Sequence, residues 1–305
     1  MRTVSLADRT SKVCIEDFGR PHVPGSSVAD FLARLPRFLG ARDLLEIADR
    51  IVAARAAGRP VILAMGAHVI KVGLSPLLID LMKRGMITAL ALNGAGIVHD
   101  YEIALAGRTS EDVDAALPGG SFGVTAETGE FLNAAIRRGH ERQAGLGESV
   151  AEAMEGAKLP HEHASLMIAA RRHGLPVTVH VAMGTDVLHI HPSADGAAIG
   201  ATALRDFQHF CALVAELEGG VHLNVGSAVI LPEVFLKAVT LARNQGHPLH
   251  DITTVDLDFR AHYRPLTNVV RRPTQDGGRG FHVTGHHEIN VPLLAAAVIE
   301  RSIAS

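Results

Sequence analysis

The chain has 305 residues, 47% hydrophobic and 4% aromatic, with a formal net charge of −3 at pH 7 from intermixed charges. This length suits a single domain over residues 1–305, and the scattered charge argues against a nucleic-acid-binding surface. No apolar run reaches the ~18–20 residues of a membrane span, two cysteines cannot form a disulfide framework, and the N-terminus lacks the apolar core of a signal peptide, so we expect a cytoplasmic protein.

Apolar runs and helical stretches alternate along most of the chain. Residues 1–30 are polar and interrupted by prolines, which predicts an irregular arm that packs on the main body or on a neighbouring subunit. The predicted strands are Val61–Met65, Ile87–Leu92, Val177–Ala182, Val221–Val225, Thr253–Phe259 and Phe281–Val283. The predicted helices are 39–57, 76–84, 125–138, 147–156, 165–173, 202–217, 232–244 and 291–299. Such alternation predicts an α/β fold with a doubly wound, mostly parallel sheet and helices on both faces.

Two small-residue turns follow the first two predicted strands. The first is Gly66-Ala67-His68 and the second is Asn93-Gly94-Ala95-Gly96. Open α/β sheets bind ligands at the carboxyl ends of their strands, and small residues there let backbone N–H groups approach a phosphate. The sequence therefore predicts a nucleotide site. A valine at Gly94 is expected to abolish dinucleotide binding and to leave the fold intact.

Several motifs in the same order resemble those of the deoxyhypusine synthase family, over roughly residues 30–300. They are NGAGIVHD at 93–100, ASLMIAARRHGLPV at 164–177, the Thr185-Asp186 pair, the Gly226-Ser227-Ala228 turn and VPLLAAAV at 291–298. The resemblance implies an NAD-binding α/β fold, a homotetramer, and a cofactor bound near a dimer interface.

The resemblance also implies a set of cofactor contacts. His99 stands where the family has an acid that holds a ribose, and one of Asp256 and Asp258 matches an acid that holds the adenosine ribose. The other implied NAD contacts are Gly66, His68, Asn93, Gly94, Ala95, Gly96, Gly226 and Ser227.

The lysine that forms an imine in deoxyhypusine synthase has no counterpart in this chain. The last lysine is Lys237, and the matching stretch carries Arg271 and Arg272, which stay protonated and cannot act as amine nucleophiles. We therefore expect an NAD-dependent transferase or oxidoreductase that acts on a small metabolite rather than deoxyhypusine synthesis. Arg271 and Arg272 are candidates for holding an anionic group of that metabolite.

Histidines are the candidate proton acceptors, since the chain has 18 of them and only five lysines. His191 or His286 is expected to remove a proton from the substrate. Asp186, from the Thr-Asp pair, is expected to orient the substrate or the nicotinamide ribose.

Two alternatives remain open at this stage. The i, i+2 spacing of His189 and His191 puts both rings on one face of an extended segment, where Asp186 or Asp195 could complete a divalent metal site. A metal-dependent hydrolase or lyase that has lost NAD is then the first alternative. A non-catalytic nucleotide-binding protein is the second.

Overall fold

The computed structural model describes residues 1–304, in which six strands form one sheet. The strands are β1 (Val61–Met65), β2 (Ala89–Asn93), β3 (Val177–His180), β4 (Val221–Val225), β5 (Thr253–Asp258) and β6 (Arg279–Thr284). Their order in the sheet is β3-β2-β1-β4-β5-β6, and every pairing is parallel. The predicted parallel α/β fold is confirmed.

Helices cover both faces of this sheet, as the sequence predicts. They are α1 (Val28–Leu32), α2 (Leu39–Ala56), α3 (His68–Lys71), α4 (Ser75–Lys83), α5 (Gly94–Ala106), α6 (Val113–Ala116), α7 (Ala126–Glu141), α8 (Leu146–Gly156), α9 (Leu166–Arg172), α10 (Gly196–Ala215), α11 (Ile230–Asn244), α12 (Tyr263–Pro265) and α13 (His287–Ala304). A π-helical turn, Leu266–Arg271, follows α12. No helix within residues 1–304 is long and apolar enough to cross a membrane.

The strands are apolar because both faces of the sheet are covered. All five residues of β1 are buried. Leu63 belongs to the larger apolar cluster on one face, and Ile62 belongs to the smaller cluster that contains Phe210 of α10 and Phe235 of α11. Two-sided burial explains why the strands read as continuous apolar runs rather than as alternating polar and apolar residues.

The largest boundary error concerns α10, which begins at Gly196 although the sequence predicts an irregular segment up to residue 200. The side chain of Asp195 accepts hydrogen bonds from the amides of Ala197 and Ala198 and so caps the helix. Glycines at 196 and 200 conceal this start in the sequence. The predicted arm holds two 3₁₀ turns, Leu6–Asp8 and Ile15–Asp17, ahead of α1.

Asp206 of α10 joins three elements through one buried carboxylate. Its Oδ2 accepts hydrogen bonds from the amide of Gly147 in α8 at 2.7 Å and from the amide of Val179 in β3 at 2.6 Å. Burial raises the pKa of Asp206 to about 7, although these amide bonds favour the ionised form. The folded protein therefore holds this proton more tightly than the unfolded chain does.

This raised pKa predicts a specific pH dependence of stability. The contribution of Asp206 is fully present below its ordinary pKa of 3.8 and is lost as the pH rises towards about 7. Asp206→Asn keeps an oxygen for both amides and carries no charge. We expect its free energy of unfolding to fall less than that of the wild type between about pH 4 and about pH 7, as measured by denaturant titration.

Asp114→Asn is the matched control, because Asp114 is exposed. Its stability profile should run parallel to that of the wild type. Parallel profiles for Asp206→Asn and the wild type would contradict the assignment.

Candidate functional site

Two turns touch each other at the point where the strand order reverses. Gly66 follows β1 and Gly226 follows β4, and a Cβ atom on Gly66 would lie 2.3 Å from the carbonyl oxygen of Gly226. Only glycine permits this approach at position 66, because any side chain would collide with backbone. In doubly wound sheets the crevice outside this reversal is the usual ligand site.

The helices that leave these two turns begin at N-cap residues whose own side chains do not cap them, although Ser227 Oγ accepts the amide of Leu231 in α11 at 3.3 Å. The N-cap residues are Ala67 for α3 and Val229 for α11, and neither side chain accepts a hydrogen bond from its helix. Within residues 1–304, no acceptor faces the amides of Val229 and Ile230. Uncapped first-turn amides at the end of a helix attract anions such as phosphate.

Aromatic and imidazole rings line the same edge of the sheet. The ring of His68 lies 5.7 Å from that of His287 and 6.1 Å from that of Phe259, between ring centroids. Phe259 also stacks on His286, with centroids 6.5 Å apart. Burial is the main cause that lowers the pKa of His68, and the neighbouring His287 adds to it.

One ring nitrogen of His287, Nδ1, is a hydrogen-bond acceptor without a donor in the described part of the chain. The other ring nitrogen, Nε2, lies 3.1 Å from the carbonyl oxygen of Leu257. Because a carbonyl oxygen only accepts, Nε2 holds the proton and Nδ1 has a free lone pair. This Nδ1 is buried and has no hydrogen-bond partner in the described part of the chain, and the ring lies beside Gly226.

The two acids of β5 have different environments. Asp256 is fully buried, and its oxygens accept from Asn224 Nδ2 at 2.7 Å and from His282 Nδ1 at 2.8 Å. Asp258, at the end of β5, accepts the amide of Arg260. Asp258 is also buried but lies at the end of its strand, while Asp256 belongs to a network inside the sheet.

The second small-residue turn does not offer bare amides. Asn93 Oδ1 accepts from the amide of Gly96 at 2.9 Å. The carboxylate of Asp186 lies against the same turn, where a Cβ atom on Gly94 would be 2.2 Å from Oδ2. An acid at the start of α5 repels a phosphate, so the structure does not support the pyrophosphate contact expected at residues 93–96.

Asp186 and His189 are held together in a short buried segment. His189 Nδ1 accepts the amide of Asp186 at 3.3 Å and that of Gly184 at 3.2 Å. Asp186 Oδ2 and His189 Nε2 are buried, and neither has a well-aligned partner among the described residues. Burial raises the pKa of Asp186, while His189 and the amide of Ala95 oppose the rise.

The expected metal site does not assemble. Residues 187–189 form a 3₁₀ turn rather than an extended segment, so His189 and His191 do not share a face in the expected way. His191 Nδ1 lies 2.7 Å from Ser193 Oγ, and Asp195 caps α10. No group of three or more His, Cys, Asp or Glu side chains that could hold a metal occurs within residues 1–304.

The structure does not bring Arg271 and Arg272 to this edge of the sheet. The π-helical turn that carries Arg271 runs towards the amino ends of the strands. Within this turn, the carbonyl of Val270 lies against Gly280, which pairs with Thr254 near the start of β5. Arg272 donates to Asn268 Oδ1 at 2.8 Å. His286 does reach the carboxyl edge, beside Phe259.

A cavity of about 250 Å³, lined by both apolar and charged side chains, lies next to the second turn. It is enclosed by α5, the end of α3, the start of α7 and the segment at residues 185–188. Its charged and polar lining includes Lys71, His99, Glu102, Glu111, Thr128 and Asp186. Both signs of charge and apolar side chains such as Val98 and Phe122 face one small space, which suits a small metabolite that carries a charged group.

Sequence reasoning names two of these lining residues, His99 and Asp186, and omits the rest. Glu102 follows His99 by three positions on α5, so the two share a helix face, and this spacing is a signal that the sequence does contain. Lys71 lies five positions after Gly66. Thr128 comes from a distant segment, and only tertiary packing brings it to the cavity.

Comparison with known proteins by sequence gives no match. No protein-family profile matches the chain, and no curated protein matches it. What the chain shares with known proteins is its fold.

Solved structures match the chain at low sequence identity. AgrE in its ternary complex with ornithine and NAD⁺ matches with a TM-score of 0.56 and 16% identity, over 86% of this chain and 33% of AgrE. ArgZ, an arginine dihydrolase from cyanobacteria, matches with a TM-score of 0.52 and 16% identity, over 84% of this chain and 32% of ArgZ. The chain thus spans about one third of the length of these proteins.

An Entamoeba histolytica protein assigned as a deoxyhypusine synthase matches over nearly its whole length. The TM-score is 0.53 and the identity 9%, over 93% of this chain and 97% of that protein. The predicted likeness to the deoxyhypusine synthase fold is confirmed.

The contact between Gly94 and Asp186 changes what a substitution at Gly94 does. A larger side chain would push the Asp186 carboxylate out of its buried position. We expect Gly94→Ala to lower the melting temperature, measured by differential scanning calorimetry, because the buried acid must move. The expectation that a valine here leaves the fold intact is therefore withdrawn.

Gly200→Ala provides the control for this substitution. Gly200 lies inside α10, and nothing lies within 4 Å of a Cβ atom built on it. Alanine there should stabilise the helix by about 0.5–1 kcal/mol. A Gly94→Ala variant as stable as the wild type would rule out the tight contact.

Proposed function

We propose that this chain is an enzyme that binds NAD across the β1/β4 reversal and acts on a small metabolite, by oxidation or redox-assisted group transfer. The observation that carries the proposal is the contact between the Gly66 and Gly226 turns, together with the amides of Val229 and Ile230 at the start of α11, which have no acceptor among residues 1–304. Helix amides on either side of a reversal point form a suitable cradle for a pyrophosphate.

The residues at this edge fit a dinucleotide in three respects. The amides of Val229 and Ile230 would donate to the pyrophosphate. Asp258 would accept a ribose hydroxyl, and Nδ1 of His287, which lacks a donor, would accept another. When bound, NAD⁺ would supply the chemistry of accepting a hydride.

The cavity beside α5 is the proposed substrate site. Its volume of about 250 Å³ lies just below the roughly 300–1,000 Å³ of typical ligand pockets, so it suits a small metabolite. Lys71 would attract a carboxylate or phosphate of the substrate, and Glu102 or Asp186 would attract an amine. Without a lysine after Lys237, imine chemistry of the deoxyhypusine type is not proposed.

The solved neighbours support this proposal at the level of the fold. AgrE has been crystallised with ornithine and NAD⁺, and its matched region covers most of this chain. The proposed homotetramer and cytoplasmic location rest on the family resemblance and the composition alone.

Substitution at Val229 tests the proposed pyrophosphate position. Val229 is 49% exposed and is the N-cap residue of α11. Val229→Asp would cap the helix and place a negative charge at the proposed phosphate position. We expect it to fold normally and to weaken NAD⁺ binding by about tenfold or more in isothermal titration calorimetry.

Val229→Asn separates charge from shape, since asparagine caps a helix as well as aspartate does. Its NAD⁺ affinity should lie between those of the wild type and Val229→Asp. Equal affinity of Val229→Asp and the wild type would refute the proposed phosphate position. Absence of NAD⁺ binding by the wild type would refute the proposed function.

A second experiment distinguishes the proposed enzyme from a non-catalytic nucleotide-binding protein. Purified protein with NAD⁺ is screened against small amines, amino acids and hydroxy acids, and formation of NADH is followed by absorbance. An enzyme should reduce NAD⁺ with at least one class of metabolite. Binding of NAD⁺ without turnover in any class would favour the non-catalytic alternative.

A further inference from the structure

Four side chains form a hydrogen-bonded chain at the cavity, three of them in its wall and Thr109 behind it. His99 Nδ1 lies 2.6 Å from Thr109 Oγ1, and the hydroxyl of Thr109 donates to Glu102 Oε2. The hydroxyl of Thr128 donates to the other oxygen, Glu102 Oε1, at 3.1 Å. Both oxygens of Glu102 therefore act as acceptors, as an ionised carboxylate does.

The direction of the Thr109 bond fixes the proton on His99. A threonine hydroxyl has one proton, and in this chain that proton goes to Glu102. The Thr109 oxygen must then accept from Nδ1 of His99, so Nδ1 carries the imidazole proton. The second nitrogen, Nε2, is left with a free lone pair.

The free nitrogen belongs to a ring that lines the cavity. Nε2 of His99 has no hydrogen-bond partner among residues 1–304, and the ring is only partly buried. The other titratable groups facing the cavity are Lys71 of α3, Glu102 of α5, Glu111, and Asp186. Burial, followed by the charge of Lys71, lowers the pKa of His99, while Glu102 opposes this shift.

We propose that His99 is the proton acceptor of this site, and that Thr109 and Glu102 are positioning residues that hold its Nε2 unprotonated and directed to the substrate. This inference rests on the proposed function for its chemistry, but the proton arrangement is a property of the chain alone. The family resemblance implies that His99 contacts a ribose. In this proposal His99 acts on the substrate instead. His191 and His286 lie outside the cavity lining.

The proposed step balances as a dehydrogenation. An O–H or N–H bond of the substrate would break and its proton would pass to Nε2 of His99, and NAD⁺, when bound, would supply the acceptor for the hydride that leaves the neighbouring C–H bond. A C=O or C=N bond forms in the substrate. The charge that develops on the imidazole is balanced by Glu102 through Thr109, as an acid orients and stabilises the histidine in other general-base sites.

Nuclear magnetic resonance of ¹⁵N-labelled histidine tests the proton arrangement directly. The two ring nitrogens of a neutral histidine have different ¹⁵N shifts according to which one is protonated. His99→Asn assigns the signal among the 18 histidines. In the wild type without cofactor, we expect the Nδ1–H form to exceed the Nε2–H form by on the order of tenfold.

Thr109→Val and Thr109→Ser form the matched pair for this test. Valine has nearly the shape of threonine but no hydroxyl, so it should shift the equilibrium of His99 towards Nε2–H. Serine keeps the hydroxyl and should restore the wild-type spectrum. Unchanged signals from the other histidines show that each variant is folded.

Two results would overturn the inference. They are a wild-type His99 protonated on Nε2, and a Thr109→Val spectrum with an unchanged tautomer. Neither result depends on NAD⁺, so failure here is distinguishable from failure of NAD⁺ to bind. Once a substrate is identified, Thr109→Val should lower kcat more than it changes KM, and Thr109→Ser should recover activity.

Discussion

Buried carboxylates placed at the starts of helices from distant parts of the chain hold this fold in register. Asp100 of α5 accepts the amides of Leu166 and Met167 at the start of α9, and Asp206 of α10 does the same for Gly147 of α8. Asp186 lies against the start of α5. The positive end of a helix and a carboxylate attract each other strongly when both are shielded from water.

Removing these carboxyl groups from water costs free energy, and this cost appears as a raised pKa of the acids. Burial raises the pKa of Asp100 to about 6 and that of Asp206 to about 7. The helix amides partly offset this cost by favouring the ionised form. The packing of α5, α8 and α9 around β3 thus depends on a balance between desolvation and hydrogen bonding rather than on apolar contact alone.

The attraction between helix amides and anions gives the two small-residue turns of the sequence different roles. A helix start satisfied by a carboxylate of the protein is closed to a phosphate, and one left uncapped is open to it. Asp186 occupies the turn at Gly94, whereas neither N-cap side chain, Ala67 of α3 or Val229 of α11, caps its helix, and Ser227 accepts the amide of Leu231 in α11. The phosphate-binding function is therefore assigned to the reversal point, and the Gly94 turn supports the wall of the cavity.

The position of α5 connects these features to the chemistry. With its start fixed by Asp186, the helix presents His99 and Glu102 on the face that lines the cavity. Thr109 and Thr128 then complete the hydrogen-bonded chain from outside the helix.

The sequence by itself determined the parallel α/β class, both strands β1 and β4 to the residue, and the glycines at the reversal point. Periodicity and turn composition are local properties, and a strand covered on both faces must be apolar along its whole length. Only the tertiary structure decided that Asp186 closes the Gly94 turn, that Asn224 and His282 engage Asp256, and that Arg271 lies towards the opposite edge. Each of these outcomes depends on which distant residue packs against a buried polar group in the folded chain. Local sequence patterns do not encode such long-range contacts.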